Sequence, residues 1–513
     1  DGSSCPWSST SIFRGGSIMN RIMSHQRRLC GVGRWSILSA GLVAFVMFCV
    51  PVWVQAQVTK VEELHFPPLP ELVIPEPERV VLDNGLVVLL MEDHELPLVG
   101  VSAMIKTGSR LEAYETIGLA SLTGTVLRTG GTKSLSGDAL DEYLEGKAAA
   151  IETSIGDSSG TASMGSLAED FPDVLKVFGE VLRFPVFNPE KLKIAINQVM
   201  AGISRQNDDP DEIMSREFKK LIYGKESPYT WEPTYASVGS ITRENVIRWH
   251  ATYFHPNRII LGVSGDFERE KTLALIQSIF GDWPKGPEVP DAPVVIQSKV
   301  PAGVFYVEKD DMTQAKIAMG HMGIRRDDPD YYSLVIVNQI LSGSFGARLF
   351  YNIRSKQGLA YDVQGGVGLQ WDYPGMALLS MSTKTETTGR GIDALIAEAR
   401  NMVAEPPTDE EVASAKASIL NSFVFSVDSP TKVLGKYLTY EYYGYPSTWL
   451  REFRQGIEKV TTAQVRMAAR KHLRPNEFAI LVVGPRAGTK PALARYERIQ
   501  ELDIRIPEPS AGM

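Results

Sequence analysis

A chain of 513 residues is too long for one hydrophobic core, so at least two domains are expected. With 43% hydrophobic and 22% charged residues and no long low-complexity tract, the composition is that of a globular protein, not of a disordered or fibrous one. A net charge of −8 argues against nucleic acid and anionic membrane surfaces as partners.

Residues 1–56 read as a secretory leader with an over-extended start. Arg21, Arg27, Arg28 and Arg34 precede an uncharged run from Trp35 to Trp53, and Val54-Gln55-Ala56 places small residues where a signal peptidase would cut. The stretch before Met19 is read as lying upstream of the natural start. The expected product is an exported, periplasmic chain that begins near Gln57 and has no stable membrane association. The alternative is an uncleaved membrane anchor, since the apolar run is nearly long enough to span. All three cysteines, Cys5, Cys30 and Cys49, fall in the leader. A cleaved chain would therefore carry no disulfide, thiol nucleophile or thiolate metal site. It would also be more acidic, because the leader holds five arginines and only one acid, Asp1.

Residues 57–80, rich in Pro and Glu, form an extended lead-in. A first domain over 81–283 is expected to open on a strand pair within Arg79–Glu92, turned at Asn84-Gly85, followed by a strand at Leu98–Thr107. Helical periodicity recurs at Leu119–Thr129, Ser136–Leu144, Phe171–Arg183 and Asn188–Gln206. The Pro- and Gly-rich stretch Pro284–Pro293 marks a linker, taken as 284–300. A second domain over 301–487 begins with strands near Val304 and leaves a tail at 488–513. The two blocks repeat one another. Thr242 and Thr461, Asn257 and Asn476, and Gly265 and Gly484 are each 219 residues apart, and each set reads as helix, Pro-Asn turn and apolar strand. Such a series at one offset implies duplication.

The order and spacing of "LDNGLVVLL", "GLASLTGTVLRTGGT", "NDDPDEIMSREF", "YFHPNRIILGVSGD" and "SFGARLFYNIRSKQGLAYDV" resemble the insulinase/pitrilysin peptidases, including the mitochondrial processing peptidases. The resemblance implies an α+β fold of two homologous domains. Each would be a mixed, mostly antiparallel sheet covered by helices, together forming half of a clam-shell around a chamber. It also implies where chemistry should sit. In the family, two histidines and a glutamate in H-x-x-E-H on a first-domain helix bind zinc and activate water, and a later helix adds a glutamate ligand. Here Ser121, Gly124 and Thr125 occupy those positions, and no Asp or Glu lies between Lys191 and Asn207. A zinc site needs about three His, Cys or carboxylate ligands, so no metal or other cofactor is expected in this chain.

No substitute site emerges. His250 and His255 are five apart, which suits no pair on one helix face, and read as structural. Ser121 is not in a nucleophile elbow. "GTVLRTGGTKS" fails as a phosphate loop because Lys133 does not directly follow the closing glycine.

The second domain retains what the resemblance implies for substrate binding. Arg354 and Tyr361 match the Arg and Tyr that grip substrate beside the zinc, where a guanidinium and a phenol can donate to a developing oxyanion. The structural alternative is a surface ion pair for Arg354 and strand packing for Tyr361. Upstream, Gly343, Ser344 and Gly346 resemble the family's substrate-guiding glycine loop, or else form an ordinary turn. The expected function is a non-catalytic, substrate-binding subunit. It would be paired with a zinc-bearing H-x-x-E-H partner, active on peptides or unfolded protein only in that pair. The rival readings are a peptide-binding or structural assembly protein and a peptidase of another mechanism.

Overall fold

The computed structural model describes residues 72–507 except Ala292 and Glu497. The leader and nearly all of the lead-in lie outside these described residues. Among the described residues, no helix is long and apolar enough to cross a membrane.

The first half runs β1 (Glu78–Val81), β2 (Val87–Glu92), β3 (Leu98–Ile105), α1 (Leu119–Thr129), α2 (Gly137–Gly146), β4 (Ala150–Ile155) and β5 (Gly160–Leu167). It continues with α3 (Phe171–Arg183), α4 (Pro189–Arg205), α5 (Pro210–Tyr223), α6 (Tyr235–Gly239), α7 (Arg243–Tyr253), β6 (Ile259–Gly265) and α8 (Arg269–Phe280). The second half runs β7 (Gly303–Glu308), β8 (Gln314–Met322), β9 (Ile324–Arg325), α9 (Tyr331–Ser342), a π-helical turn at Phe350–Lys356, β10 (Val363–Val367), β11 (Leu369–Gln370) and β12 (Met376–Lys384). It ends with α10 (Thr388–Ala404), α11 (Asp409–Phe423), α12 (Pro430–Tyr443), α13 (Trp449–Lys459), α14 (Thr462–His472), β13 (Ala479–Gly484), α15 (Arg486–Leu493) and β14 (Ile499–Glu501).

Each half holds a six-stranded mixed sheet covered by helices, in the orders β1-β2-β6-β3-β5-β4 and β10-β12-β8-β13-β7-β14. Reversing the second list aligns the two, and the parallel pair β2–β6 corresponds to β7–β13. The duplication reaches individual caps. Thr242 caps α7 in a reciprocal box with Asn245, and Thr461 caps α14 in the same box with Gln464. The halves differ at one edge. There β1, the first arm of a hairpin, is replaced by β14 from the far end of the chain, parallel to β7. The stretch expected as a tail from residue 488 therefore belongs to the second half, with Leu493 fully buried and β14 in the sheet.

The central strands explain how the halves hold together. In β6, Ile259, Leu261 and Val263 face the first half's own core, while Ile260 faces α12 of the second half with Leu434 and Leu438. In β13, Ile480 and Val482 face their own core, while Leu481 and Val483 face α5 of the first half with Ile213, Phe218 and Ile222. Both strands read as unbroken apolar runs because both faces are covered. Gly262 permits the close approach of α12: a Cβ there would lie 2.9 Å from Leu438 Cδ1. Each half thus lends a helix to the other's sheet. Every fully buried Ile, Leu or Phe in this exchange contributes about 1.5–3 kcal/mol. Separating the halves would therefore cost a large share of a domain's usual stability of about 5–15 kcal/mol.

Candidate functional site

Helix α1 is the helix that the family resemblance matches to the zinc helix. It forms because Leu119, Ala120, Leu122, Val126 and Leu127 make one apolar stripe, all of it buried. Ser121 and Thr125 lie on the exposed face. The threonine hydroxyls of this helix have helical work. Thr125 Oγ1 donates to Ser121 O at 3.1 Å, Thr129 Oγ1 to Thr125 O at 2.9 Å, and buried Thr123 Oγ1 to Leu119 O at 2.7 Å. Gly124 is not an open position. A Cβ there would sit 2.6 Å from Ile155 N and 2.9 Å from Ser154 C, because β4 lies directly on the helix. Thr153 Oγ1 fastens that contact by donating to Gly124 O at 2.7 Å. The glutamate that activates water in the family has no room here. Helix α4, packed on α1, has no carboxylate after Glu190 in its first turn. The residues present do not fit a zinc ion: three ligand groups are missing and the base position is filled by a neighbouring strand.

The start of α1 carries a group that the sequence reading missed. Gly118, at φ 105°, supplies no side-chain cap. Glu112 does so instead: its carboxylate accepts from Gly118 N at 3.2 Å and Ala120 N at 2.5 Å. Burial opposes ionisation, and it outweighs the two backbone donors, which favour the charged form. The result is a carboxyl raised to about 7. Only a hydrogen-bond partner eight residues downstream marks Glu112 out, and no simple motif encodes that.

In the second half, α9 ends at Gly343, and Gly343–Gly346 turns the chain into the π-helical segment. Neither glycine has a positive φ, so the loop does not demand glycine for its backbone. Arg354 sits on the π-helical segment, with its guanidinium carbon 4.4 Å from the Phe350 ring centre and 4.9 Å from that of Tyr361. Among the described residues its side chain makes no ion pair. Tyr361 is 78% exposed and precedes β10 by two residues instead of opening it. Phe345, 80% exposed, extends the array by an edge contact with Phe350, centroids 4.8 Å apart. The structure thus brings Arg354 and Tyr361 together through a ring that sequence reasoning did not single out. Neither structural alternative, ion pair or strand packing, describes them. No hydrogen bond, ion pair or ring contact among the described residues joins them to α1.

Beside the glycine loop lies a groove of about 930 Å³, lined in part by Gly343, Trp371, Phe423, Phe425, Tyr440 and Trp449. Lys436 also lines it, and burial lowers its basicity. The two mid-chain histidines are structural. His250 is paired with Leu182 O at 2.8 Å and lowered by burial to about 4, and His255 with Ala251 O at 2.8 Å.

This pair of matched sheets defines a two-domain metallopeptidase fold, in which the candidate zinc helix carries Ser121, Gly124 and Thr125 in place of metal ligands and base. Residues 87–227 match the insulinase family (peptidase family M16), and residues 240–419 match the peptidase M16 inactive domain. The chain belongs to that family. It is 22% identical over 402 residues to the non-peptidase homolog YmxG of Helicobacter pylori, covering 77% of this chain and 91% of that one. A peptidase M16 inactive-domain structure from Pseudomonas fluorescens superposes with a TM-score of 0.73 at 26% identity, covering 81% of this chain and 99% of that one. The periplasmic protease PqqL of Escherichia coli shares the fold at 15% identity and a TM-score of 0.69, covering 82% of this chain but 48% of that one.

Proposed function

We propose that this chain is the non-catalytic, substrate-binding subunit of an exported two-chain zinc peptidase. It binds no zinc itself and presents Arg354 and Tyr361 to the site of an H-x-x-E-H partner. One observation carries the reading. The helix that should hold zinc has its threonine hydroxyls engaged internally, whereas half-buried Arg354 and exposed Tyr361 stand beside each other, the guanidinium with no acid partner among the described residues. A guanidinium and a phenol held together by a cation–π contact, Cζ 4.9 Å from the ring centre, suit a carbonyl oxygen that gains charge as it is attacked. The length of PqqL, about twice the matched span, is what two such units in one chain would need. Export rests on the Arg-rich leader and its small-residue cut site.

The test is to express the chain with an exported H-x-x-E-H protein from the same organism, isolate the complex, and measure zinc and peptide cleavage for each chain and for the pair. The proposal expects about one zinc per pair, none on this chain alone, and cleavage by the pair only. A stoichiometric zinc on the isolated chain contradicts it. The aromatic groove beside Gly343 favours a second reading, a peptide-binding or assembly protein without a peptidase partner. Peptide binding by the isolated chain, with no partner recovered, would favour that one.

A further inference from the structure

The groove beside Gly343 carries a charge pattern that its aromatic walls do not explain. It has a volume of about 930 Å³ and takes its lining from α9, α11, α12 and α13, with Arg326 and Trp371 from the segments after β9 and β11. No Asp or Glu lines it, whereas three cations do: Arg326, Lys432 and Lys436. In a chain whose net charge is −8, this is a local reversal of sign.

The three cations differ in what holds them. Lys432 is neutralised by Asp428 at 2.8 Å. Arg326 donates through Nε to Leu369 O at 2.9 Å and through Nη1 to Tyr331 Oη at 3.3 Å, both uncharged, and its Cζ lies 4.1 Å from the Trp371 ring centre. Its Nη2 has no partner among the described residues. Lys436, half-buried on α12, makes neither hydrogen bond nor ion pair among them. Both unpaired atoms reach solvent, since neither is among the sealed polar atoms that lack a partner. Burial and the nearby charge of Arg326 lower the basicity of Lys436, as two cations lining one groove without an anion should.

The neutral polar groups on the same walls are satisfied. Asn338 bonds in both directions with Val367, at 2.9 and 2.8 Å, Gln339 donates to Ser418 Oγ at 3.0 Å, and Thr439 to Gly435 O at 2.8 Å. What remains for an incoming group is positive charge set among rings. Phe423 and Phe453 stack at 5.4 Å, Trp449 stacks on Tyr332 at 6.2 Å, and Phe425 is 68% exposed. The volume lies at the upper end of the ~300–1,000 Å³ of ligand sites, and the rings outnumber the free charges, so the matching occupant is mainly apolar with one acid. Its carboxylate would meet cations already stripped of part of their water, where charge-assisted hydrogen bonds are strongest.

We propose that this groove binds an apolar peptide segment through one Asp or Glu side chain. The carboxylate pairs with the Lys436 ammonium and Arg326 Nη2, and the flanking apolar side chains pack on Phe423, Phe425 and Trp449. The inference rests on the reading of this chain as a peptide binder, with or without a zinc-bearing partner, and adds the charge of the peptide it selects.

Calorimetric titration of the full chain with capped pentapeptides tests it. Each is acetyl-Leu-Phe-X-Phe-Leu-amide, with Asp, Asn or Lys at X, and decanoate serves as a carboxylate on a lipid-like body. The Asp peptide is expected to bind about tenfold more tightly than the Asn peptide, the scale of one hydrogen bond to a charged group, and the Lys peptide more weakly still. That preference should shrink as salt rises. Lys436→Met keeps the stem and removes the charge. It should reduce the Asp-over-Asn preference severalfold and leave the Asn peptide's affinity unchanged. It should melt at or above the parent's temperature, because a half-buried charge without an acid gives way to an apolar end. Lys432→Met, whose cation Asp428 already holds, should keep the preference. Decanoate should bind about tenfold more weakly than the Asp peptide. Equal binding of the Asp and Asn peptides, the parent's preference in Lys436→Met, or decanoate binding as tightly as the Asp peptide would each overturn the proposal and leave peptide binding standing. Failure of the chain to bind any of the peptides would overturn both.

Discussion

Helix α1 and the Gly343–Tyr361 segment are the two places where the family resemblance locates chemistry, one in each half, and their side chains are arranged in opposite ways. In α1 the hydroxyls of Thr123, Thr125 and Thr129 each donate to a carbonyl one turn back, and Gly124 is closed over by β4. In the other segment a half-buried cation is held between the rings of Phe350 and Tyr361, and the phenol is left exposed. The difference teaches that a lost site can be absorbed into the fold. Once β4 rests on the helix backbone at Gly124, the ancestral side chain is a steric intruder, and selection for packing keeps it out. Tyr361, 78% exposed, fills no part of a core, so its pairing with Arg354 is the feature to test for function.

Three changes would break or sharpen this contrast. The largest effect is expected from Gly124→Glu. Its Cβ would meet the β4 backbone, which cannot swing aside like the end of a long side chain, and its carboxylate would enter an apolar contact. The loss should be on the order of 4 kcal/mol, read by denaturant unfolding, with no gain of zinc. If the variant were as stable as the parent, β4 would not be closing the site.

The next effect concerns pH. Glu112 has a folded-state value raised to about 7, above that of an unfolded glutamate near 4.3. The folded chain therefore binds more protons between those values, and its stability falls as pH rises through about 4.3–7, then levels off. The full swing is up to about 3.7 kcal/mol at 1.36 kcal/mol per pH unit. Glu112→Gln keeps an acceptor oxygen for Ala120 N and cannot ionise. Melting at pH 5 and pH 7.5 should show a smaller drop in this variant than in the parent. Equal drops would assign the pH dependence elsewhere.

The smallest effect is expected from Phe350→Leu, which removes one of the two rings holding Arg354. A partly exposed cation–π contact is worth about 0.5–1 kcal/mol. In the mixed complex kcat should fall about two- to fivefold, with zinc content and assembly intact. An unchanged rate would mean that Tyr361 alone positions the guanidinium.

Much of this was legible in the sequence. The 219-residue spacing of Thr242 and Thr461 announced two halves, and both threonines cap equivalent helices. The limits of α1 and α3 were set by strong 3.6-residue periodicity and agree with Leu119–Thr129 and Phe171–Arg183. The second half's end was misjudged because α15 carries Pro491 and β14 is only three residues long, so neither gives a clear pattern. The exchange of α5 and α12 was invisible, since an apolar face does not name the sheet it will cover. At the site, the missing ligands were evident as letters. That Gly124 is sealed by β4, that Glu112 caps α1, and that Phe350 braces Arg354 depend on contacts across the fold or on a π-helical spacing that helical periodicity does not anticipate.

The central claim is that the Arg354–Tyr361 pair acts in another chain's site while this chain's own zinc position is closed. It is tested most directly by the kcat of the zinc-loaded mixed complex carrying Arg354→Ala. Loss of a donor to the oxyanion should lower kcat by on the order of 10²–10³, with peptide binding and assembly little changed. A variant complex that cleaves at the parent rate would contradict the account and leave this half without a share in catalysis.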